Sequence, residues 1–179
     1  AAVATPYLVV DIGGGSTELV LGTDAPEAAV SIDVGCVRMT ERHLAADPPT
    51  AEQVAAATRD IDAALDRAAE AVPLDRAASL VGLAGSVTTV AAVALGLDEY
   101  DSARIHHSRV PADVVHEVTE RLLAMPRAER AVLGPMHPGR VDVIGSGALV
   151  LDRVVRRTGV SEVVVSEHDI LDGIAWSLL

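Results

Sequence analysis

The chain has 179 residues, of which half are hydrophobic but only 2% are aromatic and none is Phe, so a single domain with a core of Ala, Val, Leu and Ile is expected, built from helices laid on a sheet. Its 14 Lys and Arg face 26 Asp and Glu, a formal charge of −12 that repels nucleic acid and anionic membrane surfaces and sets both aside as partners. The lone cysteine, Cys36, excludes an intramolecular disulfide and a multi-thiolate zinc site and fits a cytoplasmic location.

Ala1 to Pro6 carries neither a basic segment nor a long apolar run, so no secretory signal is expected. Tyr7 to Ile12 is an apolar, β-rich run that enters the turn Gly13-Gly14-Gly15. Strand character resumes from Glu18 to Leu21, and Ala29 to Val34 supplies a third strand, which together predict an antiparallel meander. Thr50 and Gln53 form a capping box for a long amphipathic helix carrying Val54, Ile61, Leu65 and Val72, stopped by Pro73.

Leu80 to Leu97 contains no charge and reaches the length of a membrane span. Its Gly82, Gly85, Ser86, Thr88 and Thr89 instead read as a buried strand over Leu80 to Ala84, a turn, and a helix over Val87 to Leu95 closed by Gly96. Pro111 opens a helix with Val114, Val115, Val118, Leu122 and Leu123 facing inward. Val141 to Arg157 is a helix closed by Gly159, Val163 to Val165 a strand, and Ile170 to Leu179 a closing helix in which Trp176 is expected to fill the core. Three strands followed by helices alternating with strands predict an α/β domain spanning residues 1–179.

Asp11-Ile-Gly-Gly-Gly-Ser-Thr-Glu18 carries the chemistry. Successive glycines between two strands let backbone N–H groups converge on an anion without Cβ interference, and the Ser16 and Thr17 hydroxyls add donors. Asp11 and Glu18 flank that cradle, where they can approach a hard cation or a water beside a bound phosphate. An acidic domain holds a polyanion only through aimed amides, divalent metal, or cations supplied by another domain. The spacing excludes a P-loop, because the chain has no Lys, and excludes the dinucleotide fingerprint, because Glu18 and a strand stand where a third Gly and a helix belong. His106 and His107 are adjacent and on a strand would point to opposite faces; with no acidic or Cys partner at ligand spacing they are not read as a zinc site.

Four segments, Asp11-Ile-Gly-Gly-Gly-Ser-Thr-Glu18, Gly35-Cys-Val-Arg-Met-Thr-Glu41, Gly82-Leu-Ala-Gly-Ser-Val-Thr-Thr89 and Arg140-Val-Asp-Val-Ile-Gly-Ser-Gly-Ala148, together resemble domain II of the exopolyphosphatase/guanosine pentaphosphate phosphohydrolase (Ppx/GppA) family. The resemblance runs from Tyr7 to nearly the C-terminus. It implies a ribonuclease-H-like lobe of the actin-like ATPase superfamily: α/β, a mixed sheet whose antiparallel three-strand meander is flanked by helices, facing a similar first lobe across a cleft.

It implies further that Asp11 and Glu18 handle Mg²⁺ or Mn²⁺ and the attacking water, while Gly13, Gly14, Gly15, Ser16 and Thr17 hold the phosphate. Gly85 and Ser86 face the cleft or permit tight helix packing, and Arg38, on the strand after Gly35, reaches a phosphate or makes an exposed salt bridge. The segment from Arg140 resembles an interlobe helix whose small residues allow close contact. Ser166-Glu-His-Asp-Ile-Leu-Asp-Gly173 matches the family's closing pattern, with Leu171 where many members carry Arg. The substrate implied is polyphosphate or guanosine pentaphosphate, and the partner implied is the facing N-terminal lobe, with a homodimer left open. The family's catalytic glutamate upstream of the glycine motif has no counterpart here, since no Glu precedes Glu18, so the chain by itself is expected to be nearly inactive. A non-catalytic phosphate or nucleotide sensor and half of a sugar kinase are the alternative readings of the same lobe.

Overall fold

The computed structural model describes residues 3–176 and 178, apart from the side chains of Leu171 and Trp176. The expected core role of Trp176 therefore lies outside the described residues.

Strands β1 (Tyr7–Ile12), β2 (Thr17–Gly22) and β3 (Pro26–Ile32) form the expected antiparallel meander, with Asp11 opposite Glu18 and Glu18 opposite Ser31. The third strand lies earlier than its apolar run suggests, because the chain leaves the sheet at Asp33 to enter helix α1 (Cys36–His43). The capping box at Thr50 forms in full and starts α2 (Ala51–Ala71), which buries Ala57, Ile61, Ala64, Leu65 and Ala68.

Next come β4 (Ser79–Leu83), α3 (Ala84–Ala94), the short α4 (Ser102–Ile105), β5 (Arg109–Pro111), α5 (Ala112–Ala124), α6 (Arg127–Ala131), α7 (Ile144–Thr158), β6 (Glu162–Val165) and α8 (Ile170–Trp176). The sheet runs β3-β2-β1-β4-β6-β5, with β4 parallel to both β1 and β6, and β5 an antiparallel edge. This mixed sheet with its meander is the ribonuclease-H-like lobe that the resemblance implied.

Alternation along β1 buries Leu8, Val10 and Ile12 on the helix-covered face and leaves Tyr7, Val9 and Asp11 half-buried on the other. Each Leu or Val so removed from water contributes about 1.5–3 kcal/mol. The charge-free stretch from Leu80 is explained by position. β4 is central in the sheet, and α3 is buried all round between the sheet and helices α5 and α7. No helix among the described residues is long and apolar enough to cross a membrane.

Helix α7 starts at Ile144 rather than Val141, because Pro138–Arg140 winds as a 3-10 turn before it. Gly147 lets α7 approach its neighbours: a Cβ there would stand 2.8 Å from Ser86 Cβ and 3.2 Å from Cys36 Cβ. Ser146 ties the same crossing through its hydroxyl, which donates to the Cys36 carbonyl at 2.6 Å and lies 2.6 Å from Thr40 Oγ1. Buried Arg130 braces the approach to α7, donating to the carbonyls of Val141 (3.0 Å) and Met125 (2.7 Å) and pairing with Asp47 at 3.1 Å. The chain is thereby fixed on the C-terminal side of Arg140.

Candidate active site

The parallel strands β1, β4 and β6 all end at one edge of the sheet, which brings together Asp11 and the glycine loop, the Leu83–Gly85 turn, and Ser166 to Asp169. The outer side of strand C-termini is where open α/β sheets hold ligands. The loop from Gly13 to Ser16 is pinned from behind: the amides of Cys36, Val37 and Arg38 donate to the carbonyls of Gly13 and Gly14 at 2.9–3.1 Å. The N-terminus of α1 is thus spent on the loop, not on a ligand. With those carbonyls turned back, the amides of Gly14, Gly15 and Ser16 have no protein acceptor among the described residues, the state an anion cradle requires.

None of the three loop glycines has a positive φ; a Cβ would be tight at Gly13 and Gly14, 3.2 Å from the Ser16 carbonyl oxygen and 3.3 Å from Val37 Cγ2, and unhindered at Gly15. A stricter requirement lies at Gly35, where a Cβ would fall 2.5 Å from the carbonyl carbon of Gly14 and 2.6 Å from that of Gly15.

Glu18 is held by two donors, Ser16 Oγ at 2.7 Å and Ser31 Oγ at 2.6 Å, both on the same carboxylate oxygen, Oε1. Asp11 faces it across the β1–β2 ladder. Its carboxyl is pushed above the ordinary carboxylate range, first by burial and then by the negative charges of Glu18 and Asp169. A raised carboxyl pKa means that the folded state holds the proton more tightly than the unfolded one. Ionised Asp11 therefore weakens the fold above the ordinary carboxylate pKa, and stability is regained as pH falls through the raised value. Asp11→Asn should accordingly give a small rise in Tm at neutral pH that disappears in acid, where Asp11 is already protonated; a lower Tm at neutral pH would contradict this.

Thr17 departs from expectation. Its side chain is fully buried on the covered face, and its hydroxyl donates to the Val34 carbonyl at 2.5 Å, so it anchors the entry to α1 and offers nothing to the loop. The reason is parity: in a strand Thr17 and Glu18 point to opposite faces. Arg38 lies in the first turn of α1 and not on a strand; its Nη2 stands 3.6 Å from Asp33 Oδ1 and 3.5 Å from where a Cβ on Gly15 would be. Gly85 and Ser86 do line a cavity of ≈ 210 Å³ with Gly13, Gly14, Cys36 and Arg140. Ser86 is nevertheless 5% exposed and packed on Gly147, so it serves helix packing as well.

Two residues were missed by sequence reasoning. Arg140 lays its guanidinium on Gly85, donates to Thr89 Oγ1 at 3.3 Å, and puts a cation into the cavity wall. Asp169 adds a third negative charge near Asp11. Both lie in segments that carry the family resemblance, but nothing local ties either to the glycine motif, which is far away along the chain. Ala84 at φ +67 was also unforeseen; as the first residue of α3 it carries the strained junction with β4 at the cavity rim.

His106 and His107 do not sit on a strand with rings on opposite faces. They follow α4 in a turn, with rings stacked at 3.7 Å, and His168 packs edge-on against His106 at 4.6 Å. Among the described residues no group of three or more His, Cys, Asp or Glu is arranged to hold a metal ion. Asp11 and Glu18 thus offer two carboxylates and no protein cage.

The model of the family described as "Ppx/GppA phosphatase family" matches residues 2–179. The chain is 52% identical over 177 residues to Exopolyphosphatase 2 of Mycobacterium tuberculosis, covering 97% of this chain but 56% of that protein. It is 24% identical over 173 residues to the guanosine-5'-triphosphate,3'-diphosphate pyrophosphatase of Pseudoalteromonas atlantica, covering 33% of that protein. Among solved structures, an exopolyphosphatase-like protein superposes with a TM-score of 0.95 at 42% identity, covering 97% of this chain and 59% of that one. The Aquifex aeolicus PPX-GPPA enzyme superposes at 0.87 with 26% identity, over 96% of this chain and 56% of that one. The chain thus spans about half the length of the most similar of these proteins.

Proposed function

The chain belongs to the Ppx/GppA phosphatase family, and from that membership we propose that it is the second lobe of a phosphoanhydride hydrolase that releases the terminal phosphate of inorganic polyphosphate or guanosine pentaphosphate. The observation that carries this reading is the juxtaposition of free loop amides with the Asp11–Glu18 pair at the ends of one hairpin. The amides of Gly14, Gly15 and Ser16 bind and orient the terminal phosphate. Glu18 Oε1 is occupied by two serine hydroxyls, which leaves Oε2 to orient a water, and Asp11 stands beside it. Arg140 neutralises charge from the opposite wall. A bound Mg²⁺ or Mn²⁺, held by Asp11 and Glu18, would supply the charge that lets two carboxylates and a phosphate share this space.

Phosphoryl transfer of this kind relies on positioning and charge stabilisation more than on covalent chemistry, so the facing lobe matters as much as this one. Its share includes the carboxylate base that the family resemblance implies upstream of the glycine motif. Phosphate release from both substrates tests the reading. The full-length protein supplied with Mg²⁺ should turn over, and this chain alone should be slower by at least about 100-fold, the lower end of a missing general base. A full-length protein inert on both substrates would refute the hydrolase reading, and equal rates would show that one lobe suffices.

A further inference from the structure

The cavity is lined by Gly13 and Gly14, with Arg140 in its wall, and stops short of Gly15. Arg38 stands at that outer shoulder, its guanidinium 3.5 Å from where a Cβ on Gly15 would be and half-exposed to solvent. Its backbone is fixed there by the bond from its own amide to the Gly14 carbonyl at 3.1 Å. The side chain is bound far less firmly. Asp33 is 3.6 Å away, too far for a hydrogen bond, and its side chain is 85% exposed. Among the described residues the guanidinium donors meet no hydrogen-bond acceptor. An exposed pair of this kind contributes little, whereas phosphate oxygens match a guanidinium with charge-assisted, bidentate bonds.

From this arrangement, and resting on the hydrolase reading above, we propose that Arg38 is a specificity-determining residue that reads the length of the phosphate chain. A terminal phosphate held on the loop amides of Gly14, Gly15 and Ser16 lies inward of Arg38. A chain that continues outward over Gly15 meets it at an internal phosphate, and Arg38 then exchanges Asp33 for the substrate. Asp33 is only a weak, exposed partner of the arginine while the site is empty, and it opposes the incoming anion with its own charge.

Arg38 and Asp33 should therefore act with opposite signs. In the full-length protein, Arg38→Gln should raise KM for long-chain polyphosphate by about tenfold, the loss of one charge-assisted contact, with kcat within about twofold. Inhibition by orthophosphate should be unchanged, and Arg38→Lys should recover part of the affinity. Asp33→Asn should lower KM for the same substrate. The proposal is overturned if Arg38→Gln weakens orthophosphate equally, if it lowers kcat at unchanged KM, or if Asp33→Asn raises KM, which would make the pair a structural tie. Wild-type turnover with an unaltered KM in Arg38→Gln removes only this proposal, whereas a wild type without turnover removes the hydrolase reading together with it.

Discussion

Glu18→Gln in the full-length protein should lower kcat for polyphosphate by about two to three orders of magnitude, the range typical of a lost electrostatic contact to the transition state, while KM changes little. Gln has the same shape, and its amide oxygen can still accept the hydroxyl bonds of Ser16 (2.7 Å) and Ser31 (2.6 Å), so the β1–β2 hairpin and the loop amides keep their places. What disappears is the negative charge opposite Asp11, on which the proposed water and cation depend. The repulsion that raises Asp11 falls with it, so the variant should be no less stable than the parent. Steady-state kinetics and a thermal melt together check this. A rate within tenfold of wild type, or a KM that rises in step with the fall in kcat, would limit Glu18 to ground-state binding.

Gly35→Ala should damage both the fold and the site. Its backbone, at φ −143 and ψ 164, is one that alanine adopts freely, so no conformational strain is involved. The obstacle is the added methyl, which would stand 2.5 Å from the Gly14 carbonyl carbon with no flexible side chain in the way to yield. Either the glycine loop or the start of α1 must move, and the three bonds from Cys36, Val37 and Arg38 to the loop carbonyls are then lost or stretched. Overpacking of this sort costs about 1–3 kcal/mol. Because those bonds set the direction of the loop amides, KM for polyphosphate should rise by at least about tenfold alongside the lower Tm. Gly159→Ala separates the two effects: Gly159 closes α7 at φ +71, remote from the cavity, so the substitution should lower Tm and leave KM alone. A Gly35→Ala variant with wild-type Tm and KM would show that the loop does not depend on α1.

Much of this molecule was legible in the chain because it rests on local rules. The meander follows from alternation and from turn glycines, α2 from a capping box four residues long, and the pairing of Asp11 with Glu18 from the shortness of the loop between two strands. α1 was not legible, since its amides are satisfied by carbonyls more than 20 residues earlier and only Cys36 and Met39 are buried in it. β5 is three residues long and exists because β6 offers an edge. Thr17 was assigned to the wrong side because a hydroxyl in a glycine motif was read without the pleat that turns it inward.

By itself, then, the sequence determined the kind of chemistry available: an acid, a run of glycines and a second acid between two strands, in a domain too acidic to hold a polyanion by general attraction. Only the tertiary structure decided what those residues face. Arg140 comes 122 positions after Glu18, and Asp169 151 after it, yet both act on the same site. They do so because parallel strands β1, β4 and β6 end at one edge, while Gly35, Gly85 and Gly147 let the elements around that edge approach without a Cβ between them. Electrostatic action depends on distance in space and a hydrogen bond on direction, and neither is encoded at any fixed spacing along the chain.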